Sequence, residues 1–340
     1  MNLILISFLA ILASCSKGDT STTPPNVAPT NLTLLANVST DNSGNVTFTA
    51  SATNAVTYDF DFGNGVFQTV PSGVVTYKYP STGNYTVNVV AKSSSNLTAS
   101  KALQISVSVG SSLVFSDEFD TPGAPDPAKW GYDIGTGSGG WGNNELQYYT
   151  NRSDNVVVSN GTLKIIAKKE TYSGSAYTSA RLLSQNKFSF KYGRVEARAK
   201  LPAGVGTWPA IWMLGNNIPT VGWPACGEID IMEHKGSDLN KIYATLHHPG
   251  FSGGNGNGST KVISNATTEF HKYTMDWSST SIKFYVDDVV FYTFANTSTL
   301  PFNQNFFLLM NFAMGGSFAG SVDPAFTTAT FEIDYIRVYQ

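Results

Sequence analysis

The chain has 340 residues, 41% hydrophobic and 13% charged, with 31 glycines and two cysteines. Such a composition excludes wholesale disorder and a disulfide scaffold. Twenty-one Lys and Arg against 24 Asp and Glu leave a net charge of −3, so no basic field exists to draw nucleic acid or anionic lipid.

Leu3 to Ala13 is an apolar run at the extreme N-terminus. It is too short for a bilayer, which needs about 20 residues, and reads as the core of a signal peptide. Leu12-Ala13-Ser14-Cys15 ends it and resembles the lipobox of bacterial lipoproteins, although no Lys or Arg precedes the run. That resemblance implies cleavage after residue 14 and acylation of Cys15, with an ordinary cleaved signal as the alternative. Residues 15–29 follow as a tether rich in Ser, Thr, Pro, Gly and Asn. An exported protein is expected, held at the membrane, on the cell surface or facing the periplasm, through this N-terminal lipid only.

Residues 30–109 alternate apolar and polar side chains in about seven short runs, among them Val46–Ala50, Thr57–Phe62 and Tyr85–Val90. Period two over runs this short predicts an immunoglobulin-like β-sandwich. Tyr58-Asp59-Phe60-Asp61-Phe62-Gly63-Asn64-Gly65, followed by Tyr77, Tyr79 and Gly83-Asn84-Tyr85, resembles the polycystic-kidney-disease (PKD) domain. Asn64 stands where that family usually has Asp. The resemblance implies a spacer, with a weak binding domain as the alternative.

A break at Gly110-Ser111-Ser112 opens a second domain, residues 113–340. It has no helical stripe longer than two turns, and a long series of strands at short spacing demands an all-β sandwich or barrel, most simply a jelly roll. Lys187–Phe190, Phe284–Val286 and Phe306–Leu309 supply inward aromatic and branched residues. In this charge-poor chain, Gly227-Glu228-Ile229-Asp230-Ile231-Met232-Glu233-His234 places three carboxylates within six positions. Glu228 and Asp230 share a face of a strand, but Glu233 falls on the opposite face unless a β-bulge at Ile231 or Met232 brings it back. Carboxylates crowded together hold one another's protons, which suits a general acid beside a nucleophile. A surface acidic strand or a divalent-metal site is the alternative. Indoles and amides in Thr207–Leu214 and Gly140–Tyr149 suit a sugar cleft, with Trp141 and Trp223 the better placed for exposure.

From Leu113 to Gln340 the chain resembles glycoside hydrolase family sixteen in its laminarinase-like branch. The matches are Trp141–Gln147, Tyr177–Leu182, Tyr192–Arg198, Trp208–Met213, Gly227–Glu233 and Asn311–Gly316, in order along the domain. The resemblance implies a concanavalin-like β-jelly roll that cleaves β-1,3-glucan internally, with retention and no catalytic cofactor. Glu228 is then the nucleophile, Glu233 the acid and base, and Asp230 the residue tuning the nucleophile. Trp141, Asn143, Arg181, Trp208, Trp212, Trp223 and His247 are the implied substrate contacts. A structural calcium is implied at Glu118, the carbonyl of Gly161 and Asp334. His234 departs from the family, which often has an aromatic there. Cys226 is expected to pack, having no basic neighbour in sequence to activate it. His247 and His248 lack further ligands at metal spacing. Mixed-linkage β-1,3-1,4-glucan or a marine galactan as substrate, and a non-catalytic glucan-binding protein, are the alternative functions.

Overall fold

The computed structural model describes residues 26–340. The signal segment, Cys15 and the tether as far as residue 25 lie outside the described residues. The chain divides into two compact units after Gly110.

The first unit has seven strands, from Thr30–Val38 to Thr98–Val107, in sheets of three and four. Alternation puts Val46, Phe48 and Ala50 of one strand and Val87, Val89 and Ala91 of another into a shared apolar core. At the turn after Thr57–Asp61, the Asp61 carboxylate accepts the Gly63 N–H at 2.9 Å. The Asn64 carbonyl accepts the Val66 N–H at 3.3 Å, while its amide donates to Tyr77 Oη at 2.9 Å. Asparagine therefore does the accepting that aspartate would do, and gains a donor. Phe62 stacks on Tyr77 at 4.1 Å and Tyr79 is fully buried, so these rings are core rather than a surface platform.

The second unit is a sandwich of a ten-stranded and a seven-stranded sheet around a single apolar cluster. The seven-stranded sheet runs, edge to edge, Asn257–Val262, Lys241–His247, Glu228–His234, Thr207–Gly215, Phe306–Met314, Arg181–Leu183 and Gly131–Tyr132. Ile211 and Met213 enter the core, whereas Trp208, Trp212 and Leu214 stand on the opposite, open face. In Phe306–Met314 the inward set is Phe306, Leu308, Met310, Phe312 and Met314, and the outward set includes Leu309 and Asn311. Helix in this unit is limited to four short turns: α-helical Ile218–Val221 and Gly316–Ala319, a 3-10 turn at Gly253–Asn255 and a π-type turn at Gly140–Asn144. Lys187–Phe190 corrects the sequence reading. It forms no strand, only a single bridge from Phe190 to Phe306. Its rings still turn inward because Phe188 stacks on Phe115 at 4.4 Å and Phe190 meets the edge of Trp277 at 5.9 Å.

Since Leu308 is fully buried between the two sheets, Leu308→Ala should cost about 3–5 kcal/mol of stability by urea denaturation. Val289→Ala, at a position 54% exposed, should stay within about 0.5 kcal/mol and serves as the control.

Candidate active site

Register locates the bulge. Against the neighbouring strand, Trp212 pairs with Asp230 and Ile211 with Met232, so Ile231 has no partner. On the other side Asp230 faces Thr245 and Glu233 faces Tyr243, three steps against two. The extra residue sends both Ile231 and Met232 into the core beside Ile229, where alternation alone allows only one of them. Glu228, Asp230 and Glu233 consequently share the open face.

Each carboxylate has its own partners. Glu228 accepts the Trp223 indole N–H at 2.9 Å. Glu233 accepts the Trp208 indole N–H at 3.1 Å and the Thr245 hydroxyl at 3.2 Å. Asp230 accepts no well-aligned hydrogen bond on Oδ2, although His247 Nε2 stands 3.2 Å from it and 3.7 Å from Glu228 Oε1. Burial, followed by the charge of Asp230, pushes Glu228 and Glu233 each up to about 8. Burial also holds Asp230 well above the usual carboxylate range. His247 and Arg181 act against this rise at Glu228. His247 opposes the rise at Glu233 as well, so the site favours protonated carboxyl groups at neutral pH and Arg181 acts on Glu228 alone of the two glutamates. Ligand-type atoms of Glu228, Asp230 and His247 lie within 4.8 Å of one another, so a cation placed there would engage Glu228, the residue expected to be the nucleophile.

The remaining implied contacts form a second group on the same face. The Arg181 guanidinium lies 4.7 Å from the ring of Trp141 and 4.7 Å from that of Trp212, and its Nε meets Asp133 at 2.9 Å. Asn143 donates to Glu145 at 3.2 Å. Trp223 is 48% exposed and its ring lies 5.9 Å from His247. Trp141, expected to be exposed, is only half so because Arg181 covers it. His234 is fully buried, with Nε2 donating to the Leu239 carbonyl at 3.1 Å, and makes no cleft contact. His248 bonds Asn257 at 2.8 Å and packs against Phe251, away from any metal-ligand set. Cys226 is buried among Leu214, Phe307 and Leu309, and burial pushes its thiol up to about 11. It packs and does not react.

The calcium set fares differently. Both oxygens of Glu118 are taken by Arg337, at 2.9 and 2.6 Å, and the Asp334 carboxylate is taken by Arg198. Gly161 sits with Asn160 in the tight turn between Val156–Ser159 and Thr162–Tyr172, both with positive φ. Glu118 and Asp334 are thus each engaged by a guanidinium, with which a cation at this place would have to compete.

Sequence reading missed Thr245, Asn311 and Asp133. Thr245 was within reach, since it lies two residues before His247 and so shares its face. Asn311 stands as a lone amide in an apolar strand, a weaker signal. Nothing in the sequence marks Asp133 as the partner of Arg181.

Residues 143–337 match the family model of glycosyl hydrolases family 16, and residues 31–107 match that of the PKD domain. A β-glucanase of Rhodothermus marinus is 46% identical over 245 residues, spanning 67% of this chain and 85% of that protein. The crystal structure of the laminarinase from Rhodothermus marinus superposes with a TM-score of 0.65 at 45% identity, covering 68% of this chain and 98% of that one. LamA of Zobellia galactanivorans, solved in complex with laminaritriose and laminaritetraose, does so at 0.62 and 46%, covering 67% and 99%. With a carboxylate trio on a bulged strand and these relatives across the whole second unit, the chain belongs to glycosyl hydrolases family 16 and is a glycoside hydrolase that carries a PKD domain.

Proposed function

We propose that the protein is an endo-acting β-1,3-glucanase of laminarin type that works by double displacement with retention. The observation that carries this reading is the bulged strand, with three carboxylates on one open face and neutral N–H donors on its two glutamates. Glu228, whose charged form both His247 and Arg181 favour, attacks the anomeric carbon as a carboxylate. The C–O bond to the leaving sugar breaks as Glu233 gives that oxygen its proton. Glu233, now a carboxylate, takes a proton from water, and the hydroxide oxygen displaces Glu228 from the sugar. Asp230, which burial holds well above the usual carboxylate range, shares the face of Glu228 and tunes its ionisation. None of these steps requires a cofactor. The glucan assignment rests on the relatives, which are named β-glucanase and laminarinase. We further propose export with Cys15 as the lipid-bearing residue; labelled palmitate should enter the wild-type chain in a bacterial host and be absent from Cys15→Ser.

The assignment is tested by reducing-end release on laminarin, curdlan, lichenan and agarose. Laminarin should be the best substrate; preference for lichenan or agarose would move the activity to mixed-linkage glucan or galactan, and no release from any would leave a binding protein. Glu228→Gln should lose at least about 10³-fold in kcat while still binding laminarin. It should also be the more stable protein in alkali. A carboxyl raised from 4.5 to about 8 by folding loses stability as pH climbs through that range, and glutamine has no proton to lose. Thermal midpoints of both proteins at pH 6 and pH 9 check this sign.

A second expectation concerns the pH profile. The alkaline limb of kcat/KM should fall through about pH 8 as Glu233 loses its proton. The Trp208 N–H favours the charged form of Glu233, so in Trp208→Phe this limb should move to higher pH. Movement to lower pH would rule out Glu233 as the group behind it.

A further inference from the structure

The loop that carries Trp141 and Asn143 is held in an unfavourable backbone. Gly137, Gly139, Gly140, Trp141, Gly142 and Asn144 all have φ between 54° and 82°. Glycine accepts this conformation freely, whereas a bulky residue such as Trp141 does not. The indole N–H of Trp141 is buried without an acceptor, so only packing holds its ring, with Arg181 at 4.7 Å and Tyr149 at 5.8 Å. Backbone hydrogen bonds close the loop on itself, from Trp141 N–H to the Thr136 carbonyl at 3.1 Å and from Gly142 N–H to the Ser138 carbonyl at 2.9 Å, and Leu146 N–H joins its end to the Met314 carbonyl at 2.9 Å.

The Glu145 side chain, at the end of this loop, adds the contacts that reach Asn143 and, through Tyr149, the ring of Trp141. Its Oε1 accepts Asn143 Nδ2 at 3.2 Å, and its Oε2 accepts Gln147 Nε2 at 2.7 Å and the Tyr149 hydroxyl at 3.0 Å. All three donors are neutral, so the carboxylate is used as a hub rather than as half of an ion pair. Burial and the charge of Glu145 hold the Tyr149 phenol far above its ordinary range, which keeps it a donor. Tyr149 Oη in turn accepts Asn311 Nδ2 at 2.8 Å, and Asn311 Oδ1 accepts the Trp212 indole N–H at 2.7 Å. Arg181 packs on both Trp212 and Trp141, which closes a ring running from the loop through two central strands of the open face and back. Glu228 and Glu233 bond instead to Trp223, Trp208 and Thr245, which lie outside this ring.

We propose that Glu145 is a positioning residue for polymer binding: its carboxylate holds Trp141 and Asn143 against the Arg181–Trp212 stack and so sets the grip on the glucan, not the cleavage of the bond. This rests on reading the open face as a glucan cleft. Glutamine at position 145 keeps the length of the side chain but offers a single acceptor oxygen to three donors.

Steady-state kinetics on laminarin should show Glu145→Gln raising KM by on the order of tenfold with kcat changed less than about threefold. Glu145→Asp, which keeps two acceptor oxygens, should recover part of that affinity. A KM within about twofold of wild type in Glu145→Gln, or a loss carried by kcat, would overturn the assignment. Should Glu145→Gln fail to fold, Tyr149→Phe removes the hydroxyl that bonds both Glu145 and Asn311 and should show the same split between KM and kcat; an unchanged KM there overturns it equally. Wild type run alongside separates the two readings. No turnover by wild type strikes the glucanase assignment, whereas wild-type turnover with an unchanged variant KM strikes the role of Glu145 alone.

Discussion

One extra residue in a strand sets up the site. A regular strand through Glu228–His234 would aim Glu233 at the apolar core, where a carboxylate has no partner. The bulge at Ile231–Met232 puts two consecutive apolar side chains inward and returns Glu233 to the face of Glu228 and Asp230. The same residue serves packing and chemistry, because the core gains a side chain at the point where the open face gains an acid. The sandwich behind it is rigid enough to hold this arrangement, since Phe306–Met314, two strands away, is buried along its entire length.

Once the three carboxyls are gathered, electrostatics follows from burial more than from their partners. Desolvation is the largest cause of the raised proton affinity at Glu228, Asp230 and Glu233 alike. The groups that bond the two glutamates are indole N–H donors and a hydroxyl, which orient a carboxyl without forcing it to ionise. Elsewhere in the same domain carboxylates meet guanidinium groups, as Glu118 meets Arg337 and Asp334 meets Arg198. The chain therefore surrounds its acids in two ways: guanidinium partners for Glu118 and Asp334, and burial beside other carboxyls and neutral donors on the bulged strand.

Much of this was legible in the sequence because it follows from period two. Alternation placed Glu228 with Asp230, and the mismatch at Glu233 pointed to a bulge before any coordinates. The seven strands of the small unit and the inward residues of Phe306–Leu309 came from the same rule. What escaped was set by partners distant in sequence. Phe188 and Phe190 turn inward without a strand because Phe115 and Trp277 receive their rings. Trp141 looked exposed between glycines until Arg181 covered it. Glu118 and Asp334 looked free to hold a cation because nothing local announces Arg337 and Arg198. The hub at Glu145 joins residues up to 162 positions apart through Tyr149 and Asn311, a distance no local pattern spans.

The most direct test is to trap the reaction halfway. An activated 2-deoxy-2-fluoro-β-laminaribioside should inactivate the enzyme with one label per chain, and peptide mass spectrometry should find it on the Glu228 carboxylate. A label on Glu233 or Asp230, or turnover with no covalent adduct under conditions that trap retaining glycosidases, would contradict the division of labour along the bulged strand.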